Sequence, residues 1–217
     1  MLTVYRSDRA GAGLVLAHGA GGGQRSAFIV RAANELAARG VHVATFDFPY
    51  IAAGRSVPDK APVLEAAWRA AIAEVRARTE FATLPLFIGG KSMGGRIASQ
   101  VAAAGVERIA GLAFLGYPLH PPGRPQQRRD AHLPSIGEPM LFVQGTRDQF
   151  GAASEIAALL PQLRDAALVE IADGDHSFKT RLKVTGGKPD AALVDVFDAV
   201  AAFIARRSGP SGGAPSA

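Results

Sequence analysis

The stretch Leu86-Phe87-Ile88-Gly89-Gly90-Lys91-Ser92-Met93-Gly94-Gly95-Arg96-Ile97-Ala98 constrains the fold more than any other part of the chain. A short apolar run closes in glycines around one serine and then resumes with helical spacing, which predicts a strand, a sharp turn and a helix. Gly90-x-Ser92-x-Gly94 fits a nucleophile elbow, in which the serine takes a strained conformation at the strand end and small neighbours let strand and helix pass closely. The Ser92 hydroxyl would then project above the edge of a sheet. In a chain with 25 glycines such a spacing also arises by chance, so its meaning depends on the surrounding elements.

Those elements alternate. Residues 2–5 predict a short edge strand and Leu14-Val15-Leu16-Ala17 a strand buried on both faces, followed at once by His18-Gly19-Ala20-Gly21-Gly22-Gly23. From Ser26, an N-cap candidate, Phe28, Ile29, Ala32, Ala33 and Leu36 recur at helical spacing until Gly40 stops the helix. The strand 41–46 ends in Asp47-Phe48-Pro49-Tyr50, residues 54–62 read as a loop, and Leu64, Trp68 and Ile72 mark a helix from about Val63. After the elbow come a strand at 109–115 closed by Gly116-Tyr117-Pro118, a proline-rich loop through Pro134, and a strand from Met140 ending in Gly145-Thr146-Arg147-Asp148. A helix at about 152–160, a last strand at 167–171, the turn Asp173-Gly174-Asp175-His176-Ser177-Phe178 and a helix from 190 to 207 complete the order.

This alternation predicts one α/β domain over residues 1–207: a mostly parallel sheet of about seven strands with helices on both faces and no helical cap, then a disordered tail at 208–217. Parallel sheets bind ligands at the carboxyl ends of their strands. His18, Asp47, Ser92, Tyr117, Asp148 and His176 all fall there.

Cysteine is absent from the 217 residues, which excludes disulfides, thiolate metal sites and a cysteine nucleophile. Neither a signal-peptide core nor an apolar run of membrane-spanning length is present, so the expectation is a cytoplasmic protein without a membrane partner. The net charge of +5 comes with 19 scattered acidic residues and only 7% aromatics, which points to a solvated arginine-rich surface rather than a nucleic-acid partner. The densest basic patch, Arg124, Arg128 and Arg129, lies in the proline-rich loop.

A serine hydroxyl needs a base within hydrogen-bond reach, itself oriented by a third group. Of the five histidines, His42 lies inside a strand, His18 braces the glycine loop, and His120 and His132 sit in the proline-rich loop with surface or substrate-contact roles. His176, in a turn after the last strand, is the base. Asp148 follows the neighbouring strand and is the orienting acid, with Asp47 a distant second; Asp175 is too close in sequence to His176, and Asp173 shapes the turn. The Met93 backbone N–H is one oxyanion donor, and the other comes from Ala20 or Gly21. Tyr50, Leu119, His120, Phe150 and Phe178 are candidate pocket residues, and no metal or cofactor is expected.

The order Ser92, Asp148, His176 resembles the α/β-hydrolase superfamily along nearly the whole ordered length. Within it, Gly90-Lys91-Ser92-Met93-Gly94-Gly95-Arg96, Gly116-Tyr117-Pro118-Leu119-His120-Pro121-Pro122-Gly123, Gly145-Thr146-Arg147-Asp148 and Asp173-Gly174-Asp175-His176 resemble a small cap-less dienelactone-hydrolase-like group of predicted hydrolases. That group is similar to the hydrolase-like domain in a subunit of the NSL histone-acetyltransferase complex. The resemblance implies a serine hydrolase that cleaves a small carboxylic ester or related acyl substrate through an acyl-enzyme, under an open site covered only by the proline-rich loop. Dienelactone hydrolases use cysteine where this chain has Ser92, so their substrate does not carry over.

Two rivals remain in view. A hydrolase fold kept as a binding or scaffold module would lack turnover. A nucleotide-binding α/β protein would need glycine at position 24, which is Gln24, or a P-loop glycine at position 85, which is Pro85.

Overall fold

The computed structural model describes residues 1–106, 108–181 and 191–209. Seven strands form one sheet: β1 (Thr3–Tyr5), β2 (Ala12–Ala17), β3 (Val41–Phe46), β4 (Leu86–Lys91), β5 (Ile109–Leu115), β6 (Met140–Gly145) and β7 (Ala166–Ile171). Their spatial order is β1-β3-β2-β4-β5-β6-β7. The edge strand β1 runs antiparallel to β3, and all other neighbours are parallel. β4 therefore lies at the centre, with Gly90 opposite Ala17 on one side and Phe114 on the other.

Six helices cover the sheet: α1 (Ala27–Ala38), α2 (Pro49–Ala52), α3 (Ala61–Arg76), α4 (Met93–Ala103), α5 (Ala153–Leu159) and α6 (Ala192–Ser208). The period of two along each strand sorts the core into two layers. Leu14 and Leu16 pack with Ile29, Ala32 and Leu36 of α1 and with Phe197, Val200 and Ile204 of α6. Val15 and Ala17 face the opposite layer, with Trp68 of α3, Ile97 and Val101 of α4 and Ile156 of α5. Strands buried on both faces need apolar residues at every position, which is why β2 reads as a continuous apolar run.

Element ends follow local chemistry. Gly40 leaves α1 at a φ of +90°, where a Cβ would be strained. Ser26 occupies the cap position of α1 with no side-chain hydrogen bond to the helix. α3 starts at Ala61, two residues before Val63, because Pro62 in its first turn needs no backbone donor. Ser208 belongs to α6 and not to the tail; residue 190, read as the start of that helix, and 210–217 lie outside the described residues. Between β5 and β6 the chain forms no α-helix, only a 3₁₀ turn at Leu133–Ser135, consistent with the absence of a helical cap. Among the described residues, no helix is long and apolar enough to cross a membrane.

The elbow glycines are required by crowding. A Cβ on Gly94 would sit 2.6 Å from the His18 carbonyl oxygen and 2.7 Å from that of Ala17. These are backbone atoms of the central sheet and cannot swing aside. Gly94→Ala is expected to cost about 1–3 kcal/mol, whereas Gly11→Ala, whose Cβ meets nothing within 4 Å, is nearly neutral. Melting temperatures of the two variants check this; equal values would refute the close-approach argument.

Candidate active site

Ser92 ends β4 and opens α4 with φ 50° and ψ −119°. A non-glycine residue held there costs about 1–3 kcal/mol and persists only where its surroundings over-determine it. The Ser92 N–H donates to the Leu115 carbonyl at 3.1 Å, and its own carbonyl accepts from the Arg96 N–H at 3.1 Å, which anchors the turn to β5 on one side and α4 on the other. The serine side chain is thereby lifted out of the sheet. Met93 presents the first helical N–H beside it.

The chain from Ser92 runs through two further residues. The Ser92 hydroxyl lies 2.8 Å from His176 Nε2, and His176 Nδ1 lies 2.7 Å from Asp148 Oδ2. Because a carboxylate only accepts, Nδ1 carries the proton and Nε2 is left to accept from the serine. Burial holds the imidazole below its usual pKa, against the bond from Asp148, and the Lys91 cation adds to the lowering. The ring is therefore neutral at pH 7.

Asp148 is 3% exposed, and its carboxylate has three donors. Oδ2 accepts from His176 and, at 2.9 Å, from Gln144 Nε2; Oδ1 accepts from the Phe150 N–H at 2.8 Å. Gln144, fully buried in β6, also donates to the Gly151 carbonyl at 2.6 Å and accepts from the Tyr117 N–H at 2.7 Å. Its role was missed in the sequence, although it is the one polar side chain in Met140–Gly145. The turn carrying His176 is shaped by its acids: Asp175 Oδ1 accepts from the N–H groups of Ser177 at 2.8 Å and Lys179 at 2.9 Å, while Asp173 pairs with Arg147 at 3.0 Å and with Arg181.

The other histidines are elsewhere. His18, fully buried, bonds the Gly19 carbonyl through Nδ1 at 2.8 Å and accepts from the Phe48 N–H through Nε2 at 3.1 Å, so it braces the glycine loop in a neutral form that burial favours. Asp47 braces the same loop by accepting from the Gln24 N–H at 2.7 Å and from its side chain at 3.1 Å. His42 accepts from the Ser7 N–H at 3.1 Å, and His132 bonds Ser99 at 2.8 Å, both away from the serine.

Lys91, immediately before the nucleophile candidate, points across the site. Its ammonium donates to the His176 carbonyl and lies 5.4 Å from the centre of the Phe178 ring and 5.9 Å from that of Phe28. Burial pulls its pKa down to about 8, against the attraction of Asp148 and Asp175. Lys91→Met is expected to loosen the turn that carries His176 and to slow turnover roughly ten- to a hundredfold. Removing a cation that lowers the imidazole pKa must raise that pKa, so the acidic limb of kcat/KM moves to higher pH. A pH–rate profile checks the sign; an unmoved or downward-shifted limb would show that Lys91 does not act on His176.

A cavity of about 840 Å³ opens above Ser92 and His176. Phe28, Ile29, Leu64, Met93, Phe150 and Leu193 give it apolar walls, and Ala20 and Gly21 reach its rim. Phe150 stacks against His176 at 4.2 Å between ring centres. The other pocket candidates do not line it. Tyr50 is buried, and its hydroxyl donates to the Ala20 carbonyl at 3.0 Å, bracing the loop from behind. Leu119 is buried against Gly151, His120 bonds Pro121 and Glu155, and Phe178 is buried against Phe28. The cover also differs from the expectation: the proline-rich loop contributes Pro118 and Arg129, but Pro58, Asp59, Ala61 and Leu64 form another wall. Arg129, read as solvated surface, lines the cavity.

Fold and site together define an α/β protein of the hydrolase class. The chain belongs to the α/β hydrolase domain family, whose model matches residues 10–205. It is similar in structure to the esterase Est1E of Butyrivibrio proteoclasticus in its ferulic acid complex, at 16% identity over 97% of this chain and 96% of that one, with a TM-score of 0.74. Dienelactone hydrolase of Anabaena variabilis matches at 19% identity, 94% and 90% coverage and a TM-score of 0.72. A lidless α/β serine hydrolase of Xanthomonas campestris matches at 21% identity, 88% and 87% coverage and a TM-score of 0.67. At these identities the likeness is one of fold.

Proposed function

We propose that the protein is a serine hydrolase that cleaves a carboxylic ester through Ser92, His176 and Asp148 by way of an acyl-enzyme. The observation that carries this reading is the continuous hydrogen-bonded chain from the Ser92 hydroxyl through both imidazole nitrogens to a buried carboxylate. In acylation, Ser92 Oγ attacks the ester carbonyl carbon while His176 Nε2 takes its proton, and the imidazolium is stabilised by Asp148. The carbonyl oxygen becomes an oxyanion, met by the Met93 N–H and by a donor from Ala20 or Gly21. Collapse breaks the bond to the leaving oxygen, which receives the proton from Nε2 and departs as the alcohol.

Deacylation repeats the sequence with water. His176 takes a proton from water, the hydroxide oxygen attacks the acyl carbon, and Ser92 Oγ leaves with the proton returned by Nε2. The apolar walls favour an acyl or leaving group of some bulk, since the cavity is within the range of sites for medium-sized ligands and larger than an acetyl group needs.

Labelling with a fluorophosphonate tests the reading without knowledge of the substrate. One label per chain, mapped to Ser92, is expected. No label under conditions that label an ordinary esterase would overturn the reading in favour of a scaffold that has kept the hydrolase fold.

A further inference from the structure

The charges around the cavity are one-sided. Arg31, Lys91, Arg96, Arg129 and Lys179 line it, against a single acid among the described residues, Asp59, which is tied to Arg55 at 2.7 Å. Lys91 is engaged by the His176 carbonyl. Arg96 and Arg129 differ: they stand close enough to repel, and neither forms an ion pair among the described residues. Arg96 gives one weak bond at 3.3 Å to the Gln100 side chain, and its buried Nε has no partner. Two half-buried guanidinium groups side by side, one with an unused donor, are unfavourable unless an anion sits between them.

Their position relates that anion to the reaction. Arg96 lies one helical turn after Ser92, its N–H bonded to the Ser92 carbonyl, so its side chain leaves α4 about 5 Å along the axis from the nucleophile candidate. We infer that Arg96 and Arg129 form a carboxylate-binding subsite, and that the substrate is an ester carrying its own carboxylate a few atoms from the scissile carbonyl. This rests on the serine-hydrolase reading for the reaction, and on the cavity charges for the substrate. A guanidinium pair suits a planar carboxylate, which accepts two parallel N–H bonds from each fork.

Mono-4-nitrophenyl glutarate and 4-nitrophenyl pentanoate have acyl chains of equal length and differ in the terminal carboxylate. After subtraction of spontaneous hydrolysis, wild-type kcat/KM is expected to favour the glutarate ester by about tenfold or more. Arg129→Met should abolish that preference, Arg129→Lys should restore part of it, and added salt should weaken it. Equal kcat/KM for the two esters, or a preference that survives Arg129→Met, would overturn the inference while leaving the hydrolase reading intact. Calorimetry of free glutarate on Ser92→Ala protein reads the subsite without turnover: saturable binding, weakened about tenfold in Arg129→Met, is expected. No binding, or binding of inorganic phosphate in its place, would overturn the inference, whereas glutarate binding without hydrolysis of either ester would overturn the hydrolase reading alone.

Discussion

Ser92→Ala is expected to keep the wild-type melting temperature and to lose at least about a thousandfold in hydrolysis of an activated ester. Alanine carries the same Cβ, so the φ of 50° strains the variant no more than the parent, and the anchoring bonds to Leu115 and Arg96 involve only backbone. What disappears is the hydroxyl 2.8 Å from His176 Nε2. The oxyanion donors and cavity walls remain, so a residual rate above the uncatalysed reaction is expected rather than none. Retention of more than a tenth of the wild-type rate in a preparation free of contaminating esterase would remove Ser92 from the mechanism.

Asp148→Asn should slow turnover by about 10³ to 10⁴ and lower the melting temperature as well. The loss of rate follows from the tautomer. Oδ2 faces two donors, His176 Nδ1–H and Gln144 Nε2, so an amide group placed there meets N–H with N–H unless the imidazole proton moves to Nε2. With that proton in place, Nε2 no longer accepts from Ser92. The loss of stability follows from the same clash at a fully buried position, worth about 1–3 kcal/mol. Asp47→Asn provides the contrast, since both Asp47 oxygens are engaged by Gln24 in the glycine loop and its effect on rate should be far smaller. Turnover and melting curves for both variants decide the matter. An active Asp148→Asn beside an inactive Asp47→Asn would transfer the carboxylate role to Asp47.

Much of this architecture follows from local pattern. Strands buried on both faces must be apolar throughout, helices on a sheet must show one apolar face, and parallel connections must return each strand in the same direction. Hence β2, β4, β5 and β6 and their helices were legible from residue order. The clustering of His18, Ser92, Asp148 and His176 at one edge was legible for the same reason: each follows a strand that runs the same way. Gly90 and Gly94 were legible as punctuation around a serine, although only the structure supplies the carbonyl oxygens of Ala17 and His18 that a side chain would strike.

Side-chain direction within loops had no such signal. Tyr50, Leu119, His120 and Phe178 sit next to strand ends as Phe150 does, yet Phe150 alone of the five turns into the cavity. A loop has no fixed period, so which of its residues face inward is set by what packs against it from elsewhere: Gly151 against Leu119, Glu155 against His120, the Ala20 carbonyl against the Tyr50 hydroxyl. The wall from Pro58 to Leu64, the reach of Lys91 to His176 and the pairing of Arg96 with Arg129 likewise join segments distant in sequence. Local sequence alone therefore determined the strands, the helices and the edge where polar groups gather, because those depend on period and chain direction. Tertiary packing alone decided which charges face the cavity and which partners hold each imidazole, because those depend on contacts between residues with no fixed spacing.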